Sequence, residues 1–451
     1  VSSDSPLRIA FLTYRGKTTV GGQGVYTRHL TTALADLGHS VEVYSGPEWP
    51  ETDPRVVLHK LPSLDFYNPK HPLRLPRPGQ LRTVGDWLEF GQFLTGAFPE
   101  PLAFSVRAWR ELAPRVNDFD LVQDNQCLGY GLRGIERAGL PVIGTIHHPT
   151  TVDLRLELAA AETWSEWFFK GRWYSFTKMQ TRVARRLPRI LTVSKNSLGD
   201  IHRDHQVPRE RMHVVPVGVD QDLFRPLPNV VKKKGRLVTT ASADVAMKGL
   251  KFMLEALAIL RRDRDVDLLV IGRLNPDGPA ARTIRELGLE GAVQFVKGVS
   301  DERLIEIFNE AEVGVVPSLY EGFSLPAVEL MCCGVPLVAT TGGALPEVVG
   351  QDGETALLVE PGNGEALARR IADALDNDEL RQRISIAGRK RVLERWTWRH
   401  SALGTVEQYR ALLEESAATE ARRPGGQQAA PRFRGAGCSP AAQPANSTTR
   451  R

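Results

Sequence analysis

Cysteine is scarce in this chain: there are four in 451 residues, at positions 127, 332, 333 and 438. No pair stands at a metal-ligand spacing, and Cys332 and Cys333 are neighbours in an apolar, helix-like run. Neither a zinc cluster nor a disulfide framework is indicated. Also missing is any apolar run approaching the roughly 18–20 residues of a membrane span. The opening "VSSDSPLRIAFLTY" enters a strand-like run with no basic region or cleavage site of the kind a secretory leader carries. Together these absences predict a cytoplasmic protein. Acid is absent from one whole segment, since residues 421–451 hold six arginines and no Asp or Glu. The preceding 420 residues hold 52 basic and 53 acidic residues, so the net charge of +5 and the pI near 9.0 belong to that last segment. Net charge therefore gives no reason to expect a nucleic-acid partner. The segment is rich in Pro, Gly, Ala and Gln, with too little apolar surface to order itself.

What is present is a pattern that runs twice. In the first half "LRIAFLTY" (7–14), "SVEVYSG" (40–46), "DLVQDN" (120–125), "LPVIGTIHH" (140–148) and "RILTVS" (189–194) read as buried parallel strands, with helical stretches such as 25–39 between them. "VVPVGVDQDLFRPLP" has prolines and no periodicity, which suits a linker. Strands and helices then resume from "RLVTTAS" (236–242) through "VDLLVIG", "AVQFVKG", "VGVVPS" and "PLVAT". The fold class expected is α/β, with two doubly wound, Rossmann-like domains facing an interdomain cleft at the carboxyl ends of their strands. The expected boundaries are 1–217 for the N-terminal domain and 218–395 for the C-terminal domain. A helix at 396–416 would return toward the first domain, with a disordered basic tail at 417–451. Residues 62–100 resist assignment.

One stretch carries most of the chemistry, "SLYEGFSLPAVELMCCGVP" (318–336). A strand should end near Ser318, and Gly322 can take the angles of a tight turn. Pro326 suits the first turn of a helix that Gly334 stops. Phe323, Ser324 and Leu325 then lie at a helix N-terminus, whose unpaired N–H groups and dipole form an anion site. Glu329, expected in the first turn, would accept hydrogen bonds from paired hydroxyls, with Glu321 on the opposite side of the loop. That layout suits a sugar, a diphosphate and a ribose. By itself an E-x7-E spacing describes a loop-capping glutamate and a solvated helix residue equally well, so the flanking residues decide.

Those flanks, "PSLYEGFSLPAVELMCCGVPLVATTGGALPEVVGQDGETALLVEPGN", resemble the signature of retaining glycosyltransferases of family 4, which have the GT-B fold. The resemblance is strongest from 313 to 362 and includes "VVPVGVDQDLFRP" and "RWTWRHSA". It implies that Glu321 contacts donor-sugar hydroxyls and Glu329 the ribose, while the amides of Phe323, Ser324 and Leu325, next to Gly322, hold sugar and diphosphate. Lys248 in "ADVAMKGL" resembles the family lysine that neutralises the leaving diphosphate. The arginine usual five residues earlier is replaced by Ala243, flanked by Ser242 and Asp244, and Arg273 in "VIGRLNP" is a candidate for the missing charge. His147, at the end of "PVIGTIHH", matches the family histidine beside the donor sugar.

Gly22 and Gly24 in "TTVGGQGVYTRHL" follow the first strand and let backbone approach a phosphate. They do not form a dinucleotide fingerprint, which needs glycine at the position of Thr27. Asp265 and Asp267 form a D-x-D at the start of a strand, and no metal site or cofactor is expected. "WSEWFFKGRWYSFTKMQTRVARRLPR" (164–189) combines seven basic residues, seven aromatics and one acid, which suits an anionic membrane surface or an acceptor channel. The reading is a cytoplasmic, metal-independent retaining hexosyltransferase for glucose or mannose. Its partners would be a nucleoside diphosphate sugar and a hydroxyl acceptor (a sugar, a lipid-linked sugar or a small molecule), with peripheral contact at the inner face of a membrane. The alternatives are a non-catalytic nucleotide-sugar-binding subunit and a GT-B nucleotide-sugar 2-epimerase.

Overall fold

The computed structural model describes residues 5–16, 22–67, 75–159, 161, 163–241 and 245–421. Two wholly parallel sheets organise the chain. The first has the order β3-β2-β1-β4-β5-β6-β7, from β1 (Arg8–Thr13), β2 (Ser40–Ser45), β3 (Val57–Lys60), β4 (Leu121–Asn125), β5 (Val142–Ile146), β6 (Arg189–Thr192) and β7 (Met212–Val214). The second has the order β10-β9-β8-β11-β12-β13, from β8 (Arg236–Thr240), β9 (Asp267–Ile271), β10 (Val293–Val296), β11 (Val313–Val316), β12 (Leu337–Thr340) and β13 (Leu357–Val359). Every residue of β4, β5, β6, β11 and β12 is buried. Unbroken burial is what a parallel sheet covered on both faces requires, and it explains the continuous apolar runs.

Helices α1 (Gly22–Asp36), α2 (Val84–Leu94), α3 (Glu100–Leu112), α4 (Gly131–Ala138), α5 (Thr151–Ala159), α6 (Trp164–Trp173), α7 (Phe176–Ala184) and α8 (Lys195–His205) belong to the first half. The second half holds α9 (Leu250–Leu260), α10 (Pro279–Glu286), α11 (Asp301–Glu310), α12 (Leu325–Cys332), α13 (Leu345–Val349), α14 (Gly364–Asp376) and α15 (Asp378–Arg395). Each sheet reverses strand order once, at β1/β4 and at β8/β11, and ligands of doubly wound sheets bind beyond the carboxyl ends at such points.

The last helix, α16 (Trp398–Ala421), is bonded to the first half. Its Tyr409 hydroxyl donates to Gln123 Oε1 on β4, Ser401 Oγ to the Pro216 carbonyl at 2.6 Å, and Arg189 of β6 pairs with its Glu415. Gly218 lies where a Cβ would stand 2.3 Å from the Trp398 nitrogen, so the two passing segments can touch only with glycine there. Val219 N donates to the Trp396 carbonyl at 2.7 Å beside it.

The sequence reading differs from the structure in several places. α1 starts at Gly22, three residues before the helical stretch read from the sequence. α2 and α3 occupy 84–94 and 100–112, where periodicity was masked because α2 leaves Val84, Trp87 and Leu94 exposed. β3, β7 and β13 have only three or four residues each, too few for an alternation signal. α16 runs on through 417–421, where three alanines and a glutamate favour the helix. Residues 422–451 lie outside the described residues.

Candidate active site

The E-x7-E loop fills the gap between β11 and α12 at the second sheet's switch point. It is pinned from three sides. Leu319 N donates to the Met247 carbonyl at 2.8 Å, Ala344 N to the Glu321 carbonyl at 2.8 Å, and Thr340 Oγ1 to the Ser318 carbonyl. Gly249 has φ +66°, and a Cβ there would stand 1.9 Å from the Pro317 carbonyl, so glycine alone lets the loops after β8 and β11 touch. That contact places Lys248. Its Nζ donates to Glu321 Oε1 at 2.7 Å, and Ser318 Oγ donates to the same oxygen at 2.7 Å. Glu321 is 9% exposed, a buried carboxylate held by one cation and one hydroxyl.

After Gly322 the chain enters α12 through an unusual turn. Ser324 has φ +87°, is buried, and its Oγ has no hydrogen-bond partner among the described residues. Its side chain does not cap the helix, and Pro326 follows in the first turn, so the N–H groups at this end are left for a ligand. Phe323 anchors the turn with its ring edge-on to Trp396, centroids 5.7 Å apart. Leu325 is the first helical residue, which puts Glu329 in the second turn of α12 rather than the first. The helix starts one residue before its proline, which sits at N2. Glu329 is half-buried, and its carboxyl makes no hydrogen bond or ion pair among the described residues. Burial, then the neighbouring Asp301, pushes its carboxyl up to about 7.

The first half closes over the same loop. Ser194 Oγ and Ser197 Oγ donate to the Gly322 carbonyl at 2.7 and 3.2 Å, and a Cβ on Gly322 would come within 3.3 Å of the His147 carbonyl. His147 itself is fixed twice, its N–H donating to Gln126 Oε1 and its Nε2 bonded to Asn125 Oδ1, both at 2.8 Å. Asn125 Nδ2 faces the Gln23 carbonyl and Thr27 Oγ1, so its Oδ1 must accept from Nε2–H. Nδ1 is then the free acceptor. Burial pushes the imidazole down to about 4, so it is neutral at physiological pH. Tyr26 packs against it with centroids 4.6 Å apart. His148 faces away from this network, 3.2 Å from Asp153.

Of the other residues read from the sequence, Gly22 is the exposed first residue of α1 and Gly24 is buried in its first turn; both lie in the helix rather than in a loop before it. Ser242, with Ala243 and Asp244, lies outside the described residues, as do residues 17–21. Arg273 follows β9 at the carboxyl edge, exposed and without a partner among the described residues. Asp267 sits at the opposite, amino end of that strand, bonded to Arg236 at 2.8 Å.

Sequence reasoning missed the residues that join the halves. Besides Ser194 and Ser197 they are Asn196, whose Nδ2 donates to Tyr320 Oη at 3.1 Å, Asp200, which accepts from that hydroxyl, and Glu347, whose carboxylate accepts the Lys195 N–H at 2.9 Å. The available signal was Ser194 ending a strand as the cap of α8, with polar residues at the next two positions.

The strained turn gives a direct test. Ser324→Gly relieves the left-handed strain and removes an orphaned buried hydroxyl, so the unfolding free energy should rise by about 1 kcal/mol. Denaturant titration showing unchanged or lower stability would contradict the strain.

Comparisons with known proteins agree with this geometry. Residues 20–223 match the description "Glycosyltransferase Family 4" and residues 226–391 "Glycosyl transferases group 1". An MMP alpha-(1->4)-mannosyltransferase from Mycolicibacterium hassiacum is 49% identical over 413 residues, covering 91% of this chain and 100% of that protein. A D-inositol 3-phosphate glycosyltransferase from Streptomyces scabiei is 26% identical, covering 91% and 92%. Among solved structures, a sucrose-phosphate synthase from Thermosynechococcus elongatus has a TM-score of 0.70 at 22% identity, covering 91% of this chain and 100% of that one. Anabaena HepE in complex with UDP and glucose has a TM-score of 0.66 at 17% identity, covering 90% and 100%. Two sheets joined at a switch-point cleft, with an E-x7-E loop across it, thus have the GT-B fold, and the chain belongs to the family 4 glycosyltransferases.

Proposed function

We propose that this glycosyltransferase moves mannose from a nucleoside diphosphate sugar to an acceptor hydroxyl, with retention at the anomeric carbon and without a metal ion. The observation that carries the reading is the incomplete N-terminus of α12, with Ser324 Oγ unpartnered beside the Lys248–Glu321 pair. A diphosphate over that end takes the free amides and competes with Glu321 for Lys248. Helix end and lysine together supply the positive potential a leaving diphosphate needs, which is why no metal is invoked. Glu321, released, accepts from sugar hydroxyls, and Glu329 accepts from the ribose diol. His147, neutral, offers Nδ1 to a hydroxyl of the donor sugar.

In a same-face displacement the bond from the anomeric carbon to the diphosphate oxygen breaks. The acceptor oxygen bonds on that face, and its proton passes to the departing phosphate oxygen. Mannose and an α-(1→4) linkage are the choices supported by the name of the 49%-identical relative.

Donor turnover tests the reading. With a panel of GDP- and UDP-linked hexoses, release of nucleoside diphosphate should be measurable for a mannose donor and fall by about 10²-fold in Lys248→Ala and in Glu321→Ala. Turnover that ignores both substitutions would reject the site.

A pH profile tests Glu329. With its carboxyl near 7, about a tenth is ionised at pH 6 and about nine-tenths at pH 8. Donor affinity measured calorimetrically should fall about tenfold from pH 8 to pH 6, and Glu329→Gln should flatten that profile. Because the folded value lies above the ordinary 4.5, ionisation costs stability as pH rises toward 7, so Glu329→Gln should outlast the parent at pH 8 but not at pH 4. A pH-independent affinity would remove the ribose role.

We propose, finally, a cytoplasmic location with peripheral contact at the inner face of a membrane through α6. That helix leaves Trp164, Trp167, Phe168 and Phe169 exposed, with the exposed Lys178 and Arg186 on the adjoining α7 segment. Salt-sensitive co-sedimentation with anionic liposomes is expected, and its absence at low salt would end this reading.

A further inference from the structure

The hydrogens around His147 can be assigned outward from one backbone atom. The Gln23 carbonyl, in the first turn of α1, can only accept. Thr27 Oγ1 gives its single proton to that carbonyl at 2.8 Å, and Asn125 Nδ2 lies 3.3 Å from the same carbonyl and 3.1 Å from Thr27 Oγ1. Turned the other way, the Asn125 amide would set its oxygen against the carbonyl, acceptor to acceptor. Its orientation is therefore fixed, and Oδ1 takes the Nε2 proton of His147 at 2.8 Å. Thr27 and Asn125 are fully buried, so bulk water does not compete for either group.

The peptide that carries the ring is held as firmly. Gln126 has a left-handed backbone, φ +59°, which is unfavourable for glutamine. Its side chain bridges the two histidines, Oε1 accepting from His147 N and Nε2 donating to the His148 carbonyl, both at 2.8 Å. With the ring edge-on to Tyr26 at 81° and Nε2 tied to Asn125, Nδ1 is the ring nitrogen left without a partner among the described residues. The titratable neighbours do not disturb this arrangement. Burial pushes the Tyr26 hydroxyl up to about 12, so it stays uncharged, and His148 opposes a positive charge on the ring. Asp124, beside Asn125 on β4, turns its carboxylate to the Leu128 N–H, and Glu321 is tied to Lys248 and Ser318.

We infer that Asn125, backed by Thr27, is a positioning residue for glycosyl transfer. It holds His147 as the Nε2–H tautomer, so Nδ1 can only accept, and it selects a hydroxyl on the donor sugar over a group with no proton to give. This rests on the contact proposed above between His147 and the donor sugar.

Ring-nitrogen NMR of the full chain reads the tautomer, with His147→Gln used to identify the His147 signals. The wild type should show one form, a protonated Nε2 and a bare Nδ1, and Asn125→Ala should show both. Asn125→Asp keeps the shape and places a carboxylate at Nε2, so the midpoint of the His147 titration should rise by at least about one pH unit. The mannose donor is kept saturating, which removes the Glu329 titration from the readout. The acid limb of kcat for nucleoside diphosphate release should then rise by the same interval. A residue that only supports the fold would leave that limb at its wild-type place. A wild-type Nδ1–H tautomer, a single unchanged tautomer in Asn125→Ala, or a limb unmoved while the midpoint rises overturns the inference. If neither GDP-mannose nor UDP-mannose is turned over, the functional reading fails instead, and the Nδ1 signal still decides. A shift on adding either nucleotide sugar that Asn125→Ala loses supports the inference; no shift overturns it.

Discussion

The Gly322 carbonyl lies at the centre of the bonds that join the two halves of the site. Gly322 accepts from two serine hydroxyls, one of them the cap of α8, and a Cβ there would crowd the His147 carbonyl at 3.3 Å. From that contact the rest of the geometry is fixed. Glu321 on one side is turned toward Lys248, and Ser324 on the other is driven into a left-handed turn. The helix that follows points its unpaired amides into the cleft. Because the hydroxyl donors sit on β6–α8 and the acceptor on β11–α12, neither half builds this site alone.

The cleft also leaves polar groups unsatisfied. Among the described residues Ser324 Oγ has no partner and the Glu329 carboxyl, pushed up to about 7 by burial, has none either. A buried unpaired polar group costs about 1–3 kcal/mol, and the apolar cores behind both sheets offset it. What such a site gains is preorganisation, with donors and acceptors aimed where a ligand's charge will be, so little reorganisation remains at reaction.

The sequence made the catalytic loop legible because its determinants are local. Gly322, Pro326 and Gly334 each act on the backbone at their own position, and the run from 317 to 363 is long enough to identify the family. Alternating apolar runs gave both sheets. What stayed hidden depends on contacts between distant segments. Ser194 and Ser197 lie more than a hundred residues from Gly322, and no spacing links them. The Arg107–Glu89 pair joins α3 to α2, whose exposed apolar residues blurred the helical period. Glu329 falls in the second turn and not the first because the helix starts one residue before its proline, which marks a helix start only to within a residue or two.

The central claim is that the donor diphosphate lies over the N-terminus of α12 and takes Lys248 from Glu321. A crystal structure with a bound nucleoside diphosphate mannose tests it most directly. The account predicts phosphate oxygens within hydrogen-bond reach of the Ser324 hydroxyl and the Leu325 amide, with Lys248 turned to the diphosphate and Glu329 on the ribose. A diphosphate bound elsewhere, with the Lys248–Glu321 pair intact, would contradict it.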